Sequence, residues 1–285
     1  MIELNGVTKT RAGLAALDDV TLELDGGLTA LLGRNGAGKS TLLSILAGLM
    51  FESSGRFSLR AQPLGRRRAA LRAETTLLPQ DLVVDPRAPA EEFVRYLLRL
   101  RGRPDRLVGE MFERFGLNGV ARRPLGELSG GTRRRVGLAY ACACDTPILL
   151  LDEPTQGLDP LERLALADYL TEIGRSKLVV YSTHIISDVS WIAPRLVVLD
   201  QGRVVHDGSP DKLLAATPPV FEVSCPTGAD VERIRANGLV TRLARGDGDD
   251  YAVRWIPSTA GPHDGAEVEP TLDDAYLALC AQGPR

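Results

Sequence analysis

Gly33, Gly38, Lys39 and Ser40 stand at the spacing Gly-x-x-x-x-Gly-Lys-Ser, within the stretch Gly33-Arg34-Asn35-Gly36-Ala37-Gly38-Lys39-Ser40-Thr41. Glycines let a chain wrap a phosphate so that successive backbone N–H groups point at its oxygens. The apolar run Leu28–Leu32 predicts a strand before this stretch, and Leu42–Leu49 predicts a helix after it, opening near Lys39. The positive end of that helix dipole adds to the pull on an anion. The Lys39 ammonium suits the β- and γ-phosphates, and the Ser40 hydroxyl suits Mg²⁺. A glycine-rich turn is the alternative, but a strand before and a helix after are the context a phosphate loop requires. The stretch points to a nucleoside triphosphate.

More reactive side chains follow. Asp152 and Glu153 end the apolar run Ile148-Leu149-Leu150-Leu151. Ligands of open parallel sheets bind just beyond the carboxyl ends of strands. One carboxylate there can hold Mg²⁺, directly or through water, and a second can polarise an attacking water. His184 closes another apolar run in Ser182-Thr183-His184. Ser129-Gly130-Gly131 precedes a helix expected from about Thr132, a second anion site without a lysine.

Positioning these groups requires a sheet. Strand signals lie at Ile2–Val7, Val20–Leu24, Thr29–Leu32, Ile148–Leu151, Leu178–Ser182 and Leu196–Leu199. Two of them are continuous apolar runs, as buried parallel strands are. Helical patterns alternate with them: Phe93, Tyr96, Leu97 and Leu100 at i, i+3, i+4, i+7, and Leu161–Ile173 after Pro160. The alternation predicts an α/β core with a parallel sheet. Strand signals fade from about Asp81 to Thr146, which suggests an inserted helical subdomain.

At 285 residues with 44% apolar side chains, the chain allows one large domain and a small appendage. Its net charge of −3 gives no general footprint for nucleic acid, so none is expected as a partner. The local runs Arg66-Arg67-Arg68 and Arg133-Arg134-Arg135 read as solvated helix faces. No apolar segment approaches the roughly 20 residues that span a bilayer, and Met1-Ile2-Glu3-Leu4 does not open a signal peptide. The expectation is a cytoplasmic protein that reaches a membrane only through a partner. Four cysteines (142, 144, 225 and 280) are too scattered for a disulfide framework or a zinc site. Beyond Ala215, 6 Lys+Arg meet 11 Asp+Glu. Strands are expected there at Phe221–Ser224, Leu239–Leu243 and Tyr251–Ile256, with Gly246-Asp247-Gly248-Asp249-Asp250 turning between the last two. A final helix is expected with Thr271 as N-cap and Leu272, Ala275, Tyr276 and Leu279 on one face.

With Gln80 in Leu77-Leu78-Pro79-Gln80-Asp81 and Asp159 in Gly157-Leu158-Asp159-Pro160, these segments resemble the ATP-binding-cassette (ABC) ATPases. The order is that family's: phosphate loop, glutamine loop, signature Leu128-Ser129-Gly130-Gly131, acidic strand end, aspartate loop, switch histidine. The resemblance covers about residues 1–215. It implies an α/β P-loop NTPase fold with an ABC-type core sheet and a helical subdomain at about 81–146; beyond it, the strand and helix signals give a small C-terminal α+β extension at 216–285, expected to be regulatory or dimer-stabilising. It implies ATP and Mg²⁺, with ATP against Gly33 through Thr41 and a Mg²⁺ set of Ser40, Gln80 and Asp152. Glu153 is then the general base or water-positioning group, Gln80 senses Mg²⁺ and the attacking water, and His184 contacts the γ-phosphate. Ser129, Gly130 and Gly131 of one subunit close on the ATP of another, with Asp159 at that site, giving a dimer of identical or related chains.

Two positions depart from the family pattern. Arg11 stands where an aromatic residue often stacks on adenine, and its guanidinium plane offers a stacking surface instead. Thr132 stands where glutamine is common in the signature. The stretches Ser182–Ala193, Ala90–Gly102 and Pro270–Cys280 are similar to bacterial drug-exporter subunits, which implies a separately encoded transmembrane permease. Soluble translation and repair ATPases, and importer subunits, are the alternatives.

Overall fold

The structure, a computed structural model, describes residues 1–65, 68–190, 193–245, 250–259, 261 and 263–282. The turn expected at 246–250, apart from Asp250, lies outside them, as do Arg66, Arg67, Trp191 and Ile192. The chain divides into two compact units, Met1–Val204 and Val205–Arg285.

The first unit opens with β1 (Ile2–Arg11), β2 (Leu14–Leu24) and β3 (Gly27–Leu32), then α1 (Lys39–Leu46). Next come β4 (Ser54–Leu59), β5 (Gln62–Pro63), α2 (Ala69–Glu74) and β6 (Thr75–Leu78). A helical stretch follows: α3 (Ala90–Leu100), α4 (Val108–Arg114), two 3₁₀ turns and α5 (Gly130–Ala143). The chain then alternates through β7 (Ile148–Asp152), α6 (Pro160–Gly174), β8 (Leu178–Thr183), α7 (Ile186–Ser190) and β9 (Arg195–Asp200). β10 (Arg203–Gly208) contains the division between the units.

Two sheets result. β2, β1, β4 and β5 form an antiparallel sheet in that order. β9, β3, β8, β7 and β6 lie side by side in the other and pair in parallel. β7 and β8 are buried at every position, which is why they read as unbroken apolar runs rather than as alternation. α1 belongs to the core cluster that joins both sheets: Leu42, Leu43, Ile45 and Leu46 are each at most 1% exposed, beside Val7, Leu22, Leu31 and Leu150. This eight-residue helix buries its apolar side in the core, each leucine contributing about 2 kcal/mol, and leaves only Ser40, Thr41 and Ser44 on its more open side.

Several expectations needed correction. The α3 stripe is rotated: Ala90, Phe93, Val94 and Leu98 are buried, whereas Tyr96 is 56% and Leu100 66% exposed. β4 and β6 went unread, because each is short and β4 is exposed along its first half. Neither basic run is simply a solvated face. Arg68 is fully buried, its guanidinium over the Phe51 and Phe57 rings at 4.9 and 4.8 Å, donating to Met50 O at 2.9 Å and paired with Glu52. Arg134 is buried beneath the glutamine loop.

The second unit continues through α8 (Pro210–Ala215), β11 (Val220–Cys225), α9 (Gly228–Asn237), β12 (Gly238–Arg245), β13 (Tyr251–Pro257), β14 (Ala266–Val268) and α10 (Leu272–Ala281). Its sheet is antiparallel in the order β12, β13, β11, β14. The strand period of two divides its core. Val253 and Trp255 join Val231 and Ile234 of α9, whereas Val220 and Ile256 join Ala278 of α10. Thr271 caps α10 in a reciprocal capping box with Asp274. Among the described residues no helix is long and apolar enough to cross a membrane.

Truncating Arg68 leaves Glu52 without its partner and opens a void between two aromatic rings. Arg68→Ala is expected to lower the unfolding free energy by about 3 kcal/mol, read as a fall in the urea midpoint. Arg68→Met combined with Glu52→Gln should recover more than half of that loss, and no recovery would remove the unpaired charge as its cause.

Candidate functional site: a phosphate cradle at the carboxyl edge of the parallel sheet

Gly33–Gly38 links β3 to α1, and its conformation needs glycine at three places for different reasons. Gly36 has φ +84° and Gly38 φ +106°, both in the left-handed region. A Cβ on Gly33 would lie 2.4 Å from Leu199 O, and one on Gly38 would lie 2.4 Å from Ala16 O. Gly38 is also the N-cap of α1, and no side chain caps that helix or places a carboxylate in its first turn. The first N–H groups of a helix have no intrahelical acceptor, so this end presents donors and positive dipole without a resident anion.

Lys39 adds a full charge in the same place. Its side chain is 5% exposed, and Nζ donates to Gly33 O at 2.7 Å and Arg34 O at 3.2 Å. Burial pulls its basicity below the ordinary lysine value, while the charges of Glu153 and Asp152 act in the opposite direction. The nearest anion, Glu153 Oε1, is 3.8 Å away.

The acidic pair comes from the end of β7. Asp152 pairs in register with Ser182 of β8, and that serine satisfies both acidic residues. Ser182 Oγ donates to Asp152 Oδ1 at 2.5 Å and accepts from Glu153 N at 2.9 Å. Glu153 adopts φ +49°, a left-handed backbone that costs a non-glycine residue about 1–3 kcal/mol and aims its side chain back across the sheet edge. There Glu153 Oε1 meets His184 Nδ1 at 3.0 Å. Ser182 is the positioning residue that reading the motifs one by one did not single out.

The structure thus brings most of the expected residues to one cleft. Asn35, Gly36 and Gly38 line it from the loop, Lys39, Ser40 and Thr41 from the helix, and Gln80 and Glu153 from across the edge, around about 280 Å³. Ala16 of β2 also lines it, and a lone alanine carries no signal that would have revealed this. Ala37 is buried and Arg34 contributes its carbonyl. Arg11 lies elsewhere, with Nη2 3.4 Å from Met50 Sδ.

The signature occupies a different cleft of about 470 Å³, lined by Gly130, Gly131, Gln156 and Gly157, with Gln80 shared between the two. α5 opens at Gly130, two residues earlier than expected, because Ser129 caps it by accepting from Thr132 N at 3.1 Å. Gly131 packs so closely on Gly157 that a Cβ would come within 2.4 Å of Gly157 O. Gln80 Nε2 donates to Gln156 Oε1 at 3.1 Å. Asp159 caps α6 in a capping box with Glu162.

An uncapped helix end, a buried ammonium held by two carbonyls and left-handed glycines fit a polyphosphate. The loop conformation makes one consequence measurable. Gly38→Ala forces a Cβ against Ala16 O at an unfavourable φ, so nucleotide affinity by calorimetry should fall at least about tenfold, the equivalent of roughly 1.4 kcal/mol of displaced loop. Wild-type affinity would show that the cradle tolerates a side chain there.

Comparison with known proteins agrees with this geometry. Residues 17–156 match the ABC transporter family. The Nod factor export ATP-binding protein I of Paraburkholderia xenovorans is 32% identical over 79% of this chain and 74% of its own length. The nickel import ATP-binding protein NikO of Rhodobacter capsulatus is 38% identical over 75% of this chain and 91% of its own. A solved dimer of an ATP-binding cassette in a post-hydrolysis state, bound to ADP and Pi, has a TM-score of 0.65 at 28% identity, over 73% of this chain and 98% of that one. Phosphate loop, acidic strand end and separate signature cleft stand within one such fold, and the chain therefore belongs to the ATP-binding proteins of ABC transporters and is an ATPase.

Proposed function

We propose that this chain powers export of a substrate through a separately encoded membrane permease, peripheral to the cytoplasmic face of the membrane, and that two such domains close around ATP to do so. The observation that carries the closed dimer is the separation of the two anion sites: the signature glycines line one cleft and Lys39 another. A second helix start without a lysine has a use when it meets a γ-phosphate held by a partner's loop, where charge-assisted hydrogen bonds are stronger than neutral ones. Ser129, Gly130, Gly131 and Asp159 are assigned to that contact.

Within the chain, Lys39 exchanges the carbonyls of Gly33 and Arg34 for β- and γ-phosphate oxygens, and the N–H groups of Gly33 through Thr41 surround them. Ser40, Gln80 and Asp152 are assigned to Mg²⁺, which when bound neutralises phosphate charge. Glu153 accepts the proton of the attacking water or orients it, and His184, already 3.0 Å from Oε1, aligns that carboxylate and reaches the γ-phosphate. Arg11 is assigned to the base, which requires its guanidinium to leave Met50. The segment 216–285 is proposed to regulate or stabilise the dimer.

Export is favoured over import by the similarity of Ser182–Ala193, Ala90–Gly102 and Pro270–Cys280 to bacterial drug-exporter subunits. The 38% identity to the nickel import protein keeps import as the second reading. Inside-out vesicles carrying this chain with its co-purifying permease should accumulate substrate on ATP addition; ATP-driven loss from such vesicles would establish import.

Glu153→Gln should retain ATP binding and lose turnover by about 10²–10⁴-fold, the range for removing acid–base assistance. In that background ATP, and not ADP, should convert monomer to dimer in light scattering, alone or with a related subunit. Ser129→Arg should block the conversion by crowding the phosphate. Dimerisation of the Ser129→Arg protein as readily as its parent would sink the shared-site reading.

A further inference from the structure

Arg134 stands in a run of three arginines, yet it is 8% exposed. Its Nη1 donates to Pro79 O at 2.6 Å and Gln80 O at 2.9 Å, and its Nη2 donates to Asp152 O. The three carbonyls belong to two segments separated by more than 70 residues of chain. One carries Gln80, and the other is the peptide that joins Asp152 to Glu153. Arg134 itself lies on α5, within the two turns that begin at the signature glycines. One planar guanidinium thus ties the signature helix to the backbone of both groups assigned to the attacking water. A lysine ammonium carries its donors on one nitrogen, and lacks the two spaced, coplanar arms that reach both segments here.

Stability alone does not account for this choice. Burial depresses the basicity of Arg134, against the opposing charges of Asp152, Asp81 and Glu153. Its Nε finds no hydrogen-bond partner among the described residues. Apolar groups in place of buried ions are often neutral or stabilising, so a desolvated arginine with an orphan donor serves more than packing. The segments it joins are those whose alignment matters for hydrolysis. Glu153 is held at a left-handed φ by Ser182 on one side and by the Asp152 carbonyl contact on the other.

We propose that Arg134 is a positioning residue for ATP hydrolysis: from the signature helix it sets the placement of Gln80 and Glu153, so that engagement of the signature is transmitted to the water-activating groups of the same chain. The inference rests on the roles given above to Gln80 and Glu153. It concerns the rate of the chemical step and not capture of the nucleotide by the phosphate loop: Arg134 does not line that cleft, and its place in the signature cleft is beside Gly130 and Gly131.

The test compares the full-length wild type with Arg134→Met and Arg134→Lys, together with the permease if turnover requires it. ATP affinity by calorimetry, kcat, KM and thermal midpoint are measured for each. Arg134→Met should keep ATP affinity within about twofold and lose kcat by about 10- to 100-fold, as misplacement of reacting groups does. Arg134→Lys should recover only part of that loss, since it restores charge without the fork. Wild-type kcat in Arg134→Met overturns the proposal, as does a fall in kcat matched by equal falls in ATP affinity and thermal midpoint, the mark of a purely structural staple. If Arg134→Met does not fold, Arg134→Lys decides, and a kcat within about twofold of wild type overturns the proposal. Glu153→Gln run in parallel separates the two readings: normal turnover there faults the assignment of Glu153, whatever Arg134 does.

Discussion

The ammonium of Lys39 is buried at the start of a helix whose apolar side is packed into the core. Dipole and side chain place positive charge on one spot, and protein interiors tolerate such a spot only when anions or oriented carbonyls answer it. Gly33 O and Arg34 O answer it here, and bending the loop so that both face inward is what requires Gly36 and Gly38 in left-handed backbone. The two sheets that pack on α1 fix the start of that helix, so the root of the Lys39 side chain is set by the core.

The opposite wall of the cleft is built with the same economy of parts. One hydroxyl, Ser182, holds the Asp152 carboxylate and the Glu153 amide, and the strain in Glu153 turns its side chain toward His184 and Lys39. Strained residues persist where their surroundings over-determine them. Five groups from two strand ends and one helix start therefore meet within hydrogen-bond or ion-pair range, a concentration that the carboxyl edge of a parallel sheet makes available.

Around the signature cleft three contacts recur: the Gly131 backbone against Gly157, the Gln80 side chain against that of Gln156, and the Arg134 guanidinium against the carbonyls of Pro79, Gln80 and Asp152. A side-chain fork bonded to backbone carries displacement directly, because main-chain atoms cannot change rotamer to absorb it. That is the physical basis for treating the signature helix and the residues proposed to act on water, Gln80 and Glu153, as one mechanical unit.

Local chemistry made the phosphate loop, the acidic strand end, the parallel core strands and the Thr271 cap legible from sequence, since each depends on residues adjacent in the chain. Glycine spacing, apolar runs and capping residues act over one turn or one strand, and their meaning survives without neighbours. The environments of Arg68 and Arg134 were not legible that way. Each sits in a basic run whose composition reads as solvated, and only the aromatic rings and carbonyls contributed by distant segments make it a buried cation with partners. Ala16 and Ser182 enter the site for the same reason, one through the packing of β2 against the loop and the other through the register of β8 on β7. Sequence by itself determined most of the elements, β4 and β6 excepted, and which reactive side chains they carry. Tertiary structure alone decided which side of each element faces the core, and which side chains share a cleft, because burial and cross-strand register are properties of pairs of segments that no single segment encodes.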